Sequence, residues 1–402
     1  MYKKHSNPIQ NYLIIVASIC YLFITQTLGP QLWHIPFVLT GQLLLFIVYF
    51  IYTFNPRYKL FTNNPTETLL FVTGCIAIFI RYANGNLSNI AFYIGTTFII
   101  PIIIALSFKY SSIKNKYQIK RIIYFFFILE CLLAIYERLI QYSFFPFTDI
   151  ENFAEYQAMH QTGTGFRSCS LLGNPLTNAL IVMTIYPFLL FDLKKESHVL
   201  LLSTLTLLGL SSFNARGATL LFFIVFSLYY FYKWIYNGRK KTFHIILFIG
   251  IALIILLFFS QTEIAGRLFH GEKVMDASAQ TRLTVLSRLH SLDFTDLFFG
   301  NPSKTTFFSE NGVINFIILN GAPFLILYLF TYIRFIKYYM KNYSKLEQIL
   351  VFISSFGVAA LNPSFTSNNY IIFLIFGLTI FPHFKNQKHG SRISNYPAIQ
   401  QR

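Results

Sequence analysis

Apolar runs long enough to cross a hydrocarbon core of roughly 30 Å recur along the whole chain. They predict membrane-spanning helices at 11–28, 33–54, 66–82, 88–108, 121–142, 174–193, 198–213, 217–236, 242–260, 311–335, 346–361 and 369–384, about twelve in all. Two connections, 143–173 and 261–310, are far longer than a chain needs to turn round. Long loops on a rigid scaffold usually carry function, the alternative being a loosely ordered insertion. The second contains DASAQTRLTVLSRLHSLD, 276–293, which has the period of an amphipathic helix. Leu283, Val285, Leu286, Leu289 and Leu292 share one arc, Thr284, Ser287, Arg288 and Ser291 lie opposite, and Arg282 falls among the apolar residues. The FTDLFFGNPSK that follows is predicted as a turn. No internal repeat is visible, which counts against transporter folds built from repeats.

Composition agrees with a membrane protein. The 402 residues are 54% hydrophobic and 12% charged, with a mean hydropathy of +0.53, so the length is spent on spans and no separate soluble domain is left over. The expected fold is an all-α polytopic membrane protein, a single integral domain over 1–402.

A net charge of +17 would suggest a nucleic-acid partner in a soluble chain. Here the basic residues fall in alternate connections: Lys3 and Lys4, Arg57 and Lys59, 109–121, Lys194 and Lys195, Lys233 with 239–241, 334–345, and the tail 385–402. The positive-inside rule puts these in the cytoplasm, with both termini inside and no nucleic acid implied. An odd number of spans would break that agreement. The N-terminus, lacking a small-residue cleavage site after its apolar run, reads as an uncleaved anchor.

Cysteine and histidine offer no metal. Cys20, Cys75 and Cys131 fall within spans, Cys169 stands alone in an outer loop, and His270 and His290 lack ligand spacing.

The candidate chemistry is arginine on the outer side. SSFNARGAT, 211–219, joins two spans and puts Arg216 at the start of the second helix, where partial positive charge already disfavours a cation. A phosphate or diphosphate held by Arg216, Gly217 and the helix N–H groups resolves the conflict; an arginine whose head reaches the lipid headgroups is the alternative. Arg167 precedes Gly173-Asn174-Pro175, a helix start with Asn174 as cap that places the loop's end at the membrane surface. Arg282 would point inward from a surface helix, or bend out to water. Glu310, opening the next span, is either a cap-like residue or a general base. Glu130 and Glu137, seven apart on one face of the fifth span, are acids that should face the bundle interior, where a structural role is open to them.

The order of these motifs resembles the O-antigen ligase/polymerase superfamily, and most closely a Wzy-type O-antigen polymerase. The resemblance rests on Arg167 with Gly173-Asn174-Pro175, then Asn214-Ala215-Arg216-Gly217, the arginine-bearing outer loop, Glu310-Asn311, and Asn320-Gly321. It covers about 165–330 and is one of pattern. It implies a GT-C-like, metal-independent glycosyltransferase without cofactor, working at the outer face of the bacterial cytoplasmic membrane. Growing glycan would pass from undecaprenyl diphosphate to the next lipid-linked repeat unit. Arg216, Arg282 and Glu310 are then the expected catalytic residues, with Arg167, Arg288, Asn174 and Asn311 binding diphosphate or glycan. The lipid-linked oligosaccharide, the bilayer, and a chain-length regulator and flippase of the same pathway are the implied partners.

Ligase-type members carry His-Asn where this chain has Glu310-Asn311, and the usual Ser-Arg of the turn is Ala215-Arg216. The first departure favours polymerase over ligase and leaves the base open. A lipid-linked saccharide flippase is the competing non-enzymatic reading, as is a structural or sensory membrane protein. A flippase should carry cavity-lining charge in many spans, whereas this chain gathers its candidate charges outside.

Overall fold

The computed structural model describes residues 8–19, 22–23, 65–84, 95–144, 166–172, 174–236, 292–302, 312–361 and 369–384. Their regular secondary structure is helical, with no β-strand among them. In order they form α1 (Pro8–Ile19), α2 (Pro65–Ala83), α3 (Ile100–Tyr110, entered through a π turn), α4 (Ile113–Ile140), α5 (Pro175–Asp192), α6 (Glu196–Ser212) and α7 (Arg216–Tyr230). Then come α8 (Phe294–Phe299), α9 (Gly312–Asn320), α10 (Ala322–Tyr339), α11 (Lys345–Phe352), α12 (Val358–Leu361) and α13 (Asn369–Ile380). The predicted spans 33–54 and 242–260 lie outside the described residues, as does the amphipathic helix 276–293 up to residue 291.

Among the described residues, three helical stretches, Pro65–Ala83, Pro175–Asp192 and Arg216–Trp234, are long and apolar enough to cross a membrane, and a fourth is the bent pair α9–α10. The distribution of side chains argues for a membrane too. On α2, Glu67, Leu70, Gly74, Ala77 and Arg81 form a buried stripe, while Phe71, Val72, Ile76, Ile78 and Phe79 are exposed, Phe79 by 72%. Apolar residues outward and polar ones inward suit lipid as the surrounding medium. Within the α2–α10 contact the hydroxyls of Thr73 and Thr331 lie 2.9 Å apart, a polar bond between buried faces.

Helix limits follow local chemistry. Asn174 caps α5, accepting from the N–H groups of Leu176 (2.9 Å) and Thr177 (3.2 Å), and Pro175 takes the first helical position. Ser344 and Glu347 form a capping box at α11, and Ser112 caps α4 by accepting from Asn115 N–H. That cap starts α4 eight residues before the predicted 121, so its first two turns are a basic extension of the span.

The core is built on α5 and α13. Nearly all of α5 from Asn178 to Leu190 is buried, as is α13, so neither has the one-sided pattern of a surface helix. They close together because Gly377 offers no side chain: a Cβ there would sit 2.2 Å from the Phe188 ring.

Two expectations are corrected. The predicted single span 311–335 is two helices meeting at 112° across Gly321. Gly321 has φ of 84°, and a Cβ on it would meet the Phe298 carbonyl oxygen at 2.3 Å. Pro323 is then accommodated only because it falls in the first turn of α10. The predicted turn FTDLFFGNPSK instead opens with α8, where Asp293 N–H donates to Asp296 (3.0 Å) and Gly300, φ 86°, ends the helix. A capping box outweighs the turn signal of Gly300-Asn301-Pro302 by placing it one step later.

Charged contacts mark one end of the bundle. Lys109 is 3.7 Å from Glu67, Lys120 is 2.5 Å from Asp192, and Lys233 donates to the Leu193 carbonyl at 2.8 Å. Tyr124 hydroxyl also donates to Asp192 (3.1 Å), and Lys116 Nζ lies 2.6 Å from His383 Nε2. The start of α2, the end of α3, the start of α4 and the ends of α5, α7 and α13 thus share a basic end. Arg81, Arg138, Arg167 and Arg216 belong to the other.

Candidate functional site

Residues 166–172 return from the first long connection and enter the bundle. Ser168, Cys169 and Ser170 are each 0% exposed. A backbone strand without helical bonds can be buried only if its polar groups find partners. Side chains of α4 supply many of them. Glu137 Oε2 accepts from the N–H groups of Cys169 and Ser170, both at 2.8 Å, and Glu130 Oε2 accepts from Leu171 N–H at 3.2 Å. Ser168 hydroxyl donates to the Ala134 carbonyl (2.5 Å), Ser170 hydroxyl to that of Glu130 (2.9 Å), and Asn178 Nδ2 to that of Cys169.

From Glu137 to Glu130 is two turns of α4, about 10 Å along its axis. The last residues of this loop therefore descend beside α4 before α5 begins. Cys169 is a buried thiol and not an exposed loop cysteine. Both acids do face the interior, and they hold backbone N–H groups.

Arg167 lies at the top of this strand, half-buried. On one side of it Arg138 donates to the Phe166 carbonyl, and on the other Ser168 N–H donates to the Ser212 carbonyl at 3.1 Å. Ser212 is the last residue of α6, so the strand carrying Arg167 is bonded to the turn leading to Arg216. In that turn Asn214 takes φ of 52°, a left-handed conformation that asparagine tolerates. Arg216 is the first residue of α7 and half-buried, and its cap residue Ala215 has no side-chain oxygen to offer the helix N–H groups.

The structure therefore brings the segments of Arg167 and Arg216 together at one end of the bundle. Asn174 stands at the foot of the same strand, exposed, with its side-chain oxygen committed to capping α5. Arg282, Arg288, Glu310 and Asn311 lie outside the described residues, as do His270 and His290. No group of three or more His, Cys, Asp or Glu that could hold a metal occurs among the described residues.

One residue that sequence reasoning passed over is Arg81. It is buried at the end of α2, and its Nε donates to Asn320 Oδ1 at 3.2 Å, at the bend between α9 and α10. The α8 segment closes on the same bend: Asn301 N–H donates to the Ile318 carbonyl (2.6 Å), and Asn84 Nδ2 to that of Phe299 (2.7 Å). The available signal was an arginine in the last turn of an apolar helix at the end opposite the basic connections.

No protein-family model matches the chain, and no curated protein matches it.

Proposed function

We propose that this chain is a polysaccharide polymerase of the O-antigen type, with about twelve spans, both termini in the cytoplasm, and its site at the outer face of the bacterial cytoplasmic membrane. The observation that supports it is the bond between Ser168 and Ser212, which joins the strand of Arg167 to the turn of Arg216. Two guanidinium-bearing segments, one at a helix start whose cap residue offers no side-chain oxygen, are suited to a diphosphate.

In this reading a hydroxyl of the acceptor repeat unit attacks the anomeric carbon of the lipid-linked glycan. The new glycosidic bond forms as the bond to diphosphate breaks, and undecaprenyl diphosphate leaves with the electron pair. Arg216, with Arg282, stabilises the charge that builds on the diphosphate, and Arg167 and Arg288 hold it. Glu310 takes the hydroxyl proton, and Asn311 and Asn174 bind glycan. Guanidinium groups do the work that a divalent ion does elsewhere. A flippase that delivers the repeat unit and a chain-length regulator are the expected partners.

The deciding experiment is a glycan ladder from cells lacking this one gene, probed for lipid-linked and surface glycan. Single repeat units on the surface acceptor with no ladder above them are the expected result. Long polymer stranded on undecaprenyl diphosphate would make the chain a ligase, and repeat units trapped on the cytoplasmic face would make it a flippase.

A further inference from the structure

We infer that Glu137 is a positioning residue that closes the neck of the first long connection and so sets Arg167 against the Arg216 turn. Its carboxylate is 0% exposed and is shared between the two ends of that connection. Oε1 accepts from the N–H of Phe144, where the chain leaves α4, and Oε2 accepts from Cys169 and Ser170, where it returns, all three at 2.8 Å. The Phe144 ring stacks on Tyr136 with centroids 5.9 Å apart, which holds that end in place independently.

The geometry is demanding. Only a carboxylate has acceptors on both oxygens; an amide would turn a donor toward one set of N–H groups. Ser170 is held at φ of 45°, a conformation that costs a non-glycine residue free energy, and its bond to Glu137 offsets that cost. Arg138, next in sequence, donates to the Phe166 carbonyl. Consecutive residues at the end of α4 thus grip the strand on both sides of Arg167, one by its carbonyl and one by its N–H groups. This role rests on the proposed anion site only for its consequence; the closure itself is independent of any activity.

The test has two parts. In the first, the full-length protein in nanodiscs is treated with a small maleimide, and modification of buried Cys169 is followed by peptide mass spectrometry, with the same protein unfolded in SDS as the fully accessible reference. Losing buried charge-assisted bonds in Glu137→Gln should speed Cys169 modification roughly tenfold to a hundredfold. Arg138→Met, which loosens the other grip, should raise it less and serves where Glu137→Gln does not reach the membrane. Unchanged modification in the variants that accumulate overturns the closure.

The second part measures affinity for inorganic pyrophosphate. Glu137→Gln and Arg167→Ala should each weaken it, and Glu137→Gln should add nothing to Arg167→Ala, because it acts through that arginine. An additive loss overturns the positioning role. A wild-type protein that does not bind pyrophosphate overturns the anion site and the link to it, while the modification rates still decide the closure.

Discussion

Arg81 Nε donates to Asn320 Oδ1 at 3.2 Å, tying the last turn of α2 to the last residue before the chain bends by 112°. Asn320 also donates from Nδ2 to the Phe316 carbonyl at 3.0 Å, so its amide is used on both sides. The bend is thus held by a buried cation from a helix more than two hundred residues away, and by a glycine that leaves room for α8.

Gly321→Ala should be strongly destabilising. The left-handed φ costs about 1–2 kcal/mol for a residue with a Cβ, and overpacking against the Phe298 carbonyl adds about 1–3 kcal/mol. Asn320→Ala, which takes an amide from a buried guanidinium, should cost about 1.5–3 kcal/mol. Thermal unfolding of the purified protein in detergent measures both; a wild-type melting temperature for Gly321→Ala would refute the tight bend.

Gly377→Ala should separate α13 from α5. Phe188 is 1% exposed and has no room to withdraw, so the expected loss is about 1–3 kcal/mol. Shortening the ring in a Phe188→Leu background should recover part of it, which a pair of melting curves would reveal; equal losses in both backgrounds would mean that the contact does not set the spacing.

Arg216→Ala should abolish long-chain glycan at unchanged protein level, and Arg216→Lys should restore little, because an ammonium cannot make the bidentate contact of a guanidinium. A glycan ladder at matched protein level checks this. Normal ladders from Arg216→Ala cells would end the anion-site proposal.

Lys116 gives a pH dependence. It is 2% exposed, and burial holds its pKa down to about 8 from the ordinary 10.5. Below pH 8 both folded and unfolded chains carry the proton, and the folded state bears the cost. Between about 8 and 10.5 the unfolded chain binds more protons, so stability rises with pH across that window. Lys116→Met should be more stable than wild type near pH 7.5, by about 2 °C or more in melting temperature. The difference should shrink toward pH 10.5, and a difference independent of pH would sink this account.

The helices themselves were legible. Runs predicted at 174–193 and 346–361 appear as Pro175–Asp192 and as α11 through α12, because Asn174-Pro175 and Ser344 with Glu347 carry their own start signals. The interior-facing acids were legible too, since Glu130 and Glu137 recur at helical spacing in an apolar stretch. Arg167 and Arg216 stood out as cations outside the basic connections, and their segments do meet.

What hydropathy determined is that the chain is helical and belongs in a membrane, because transfer into an apolar medium depends on local composition and on the backbone satisfying its own hydrogen bonds. It could not place the bend at Gly321, the descent of 166–172 beside α4, or the burial of Arg81. In each case the decisive partner is distant in sequence: the Phe298 carbonyl for Gly321, Glu137 for Ser170, Asn320 for Arg81. Lipid and protein interior are equally apolar, so hydrophobicity does not say which face of a helix meets another helix. Polar groups and missing side chains decide that, and they take effect only once the helices are packed.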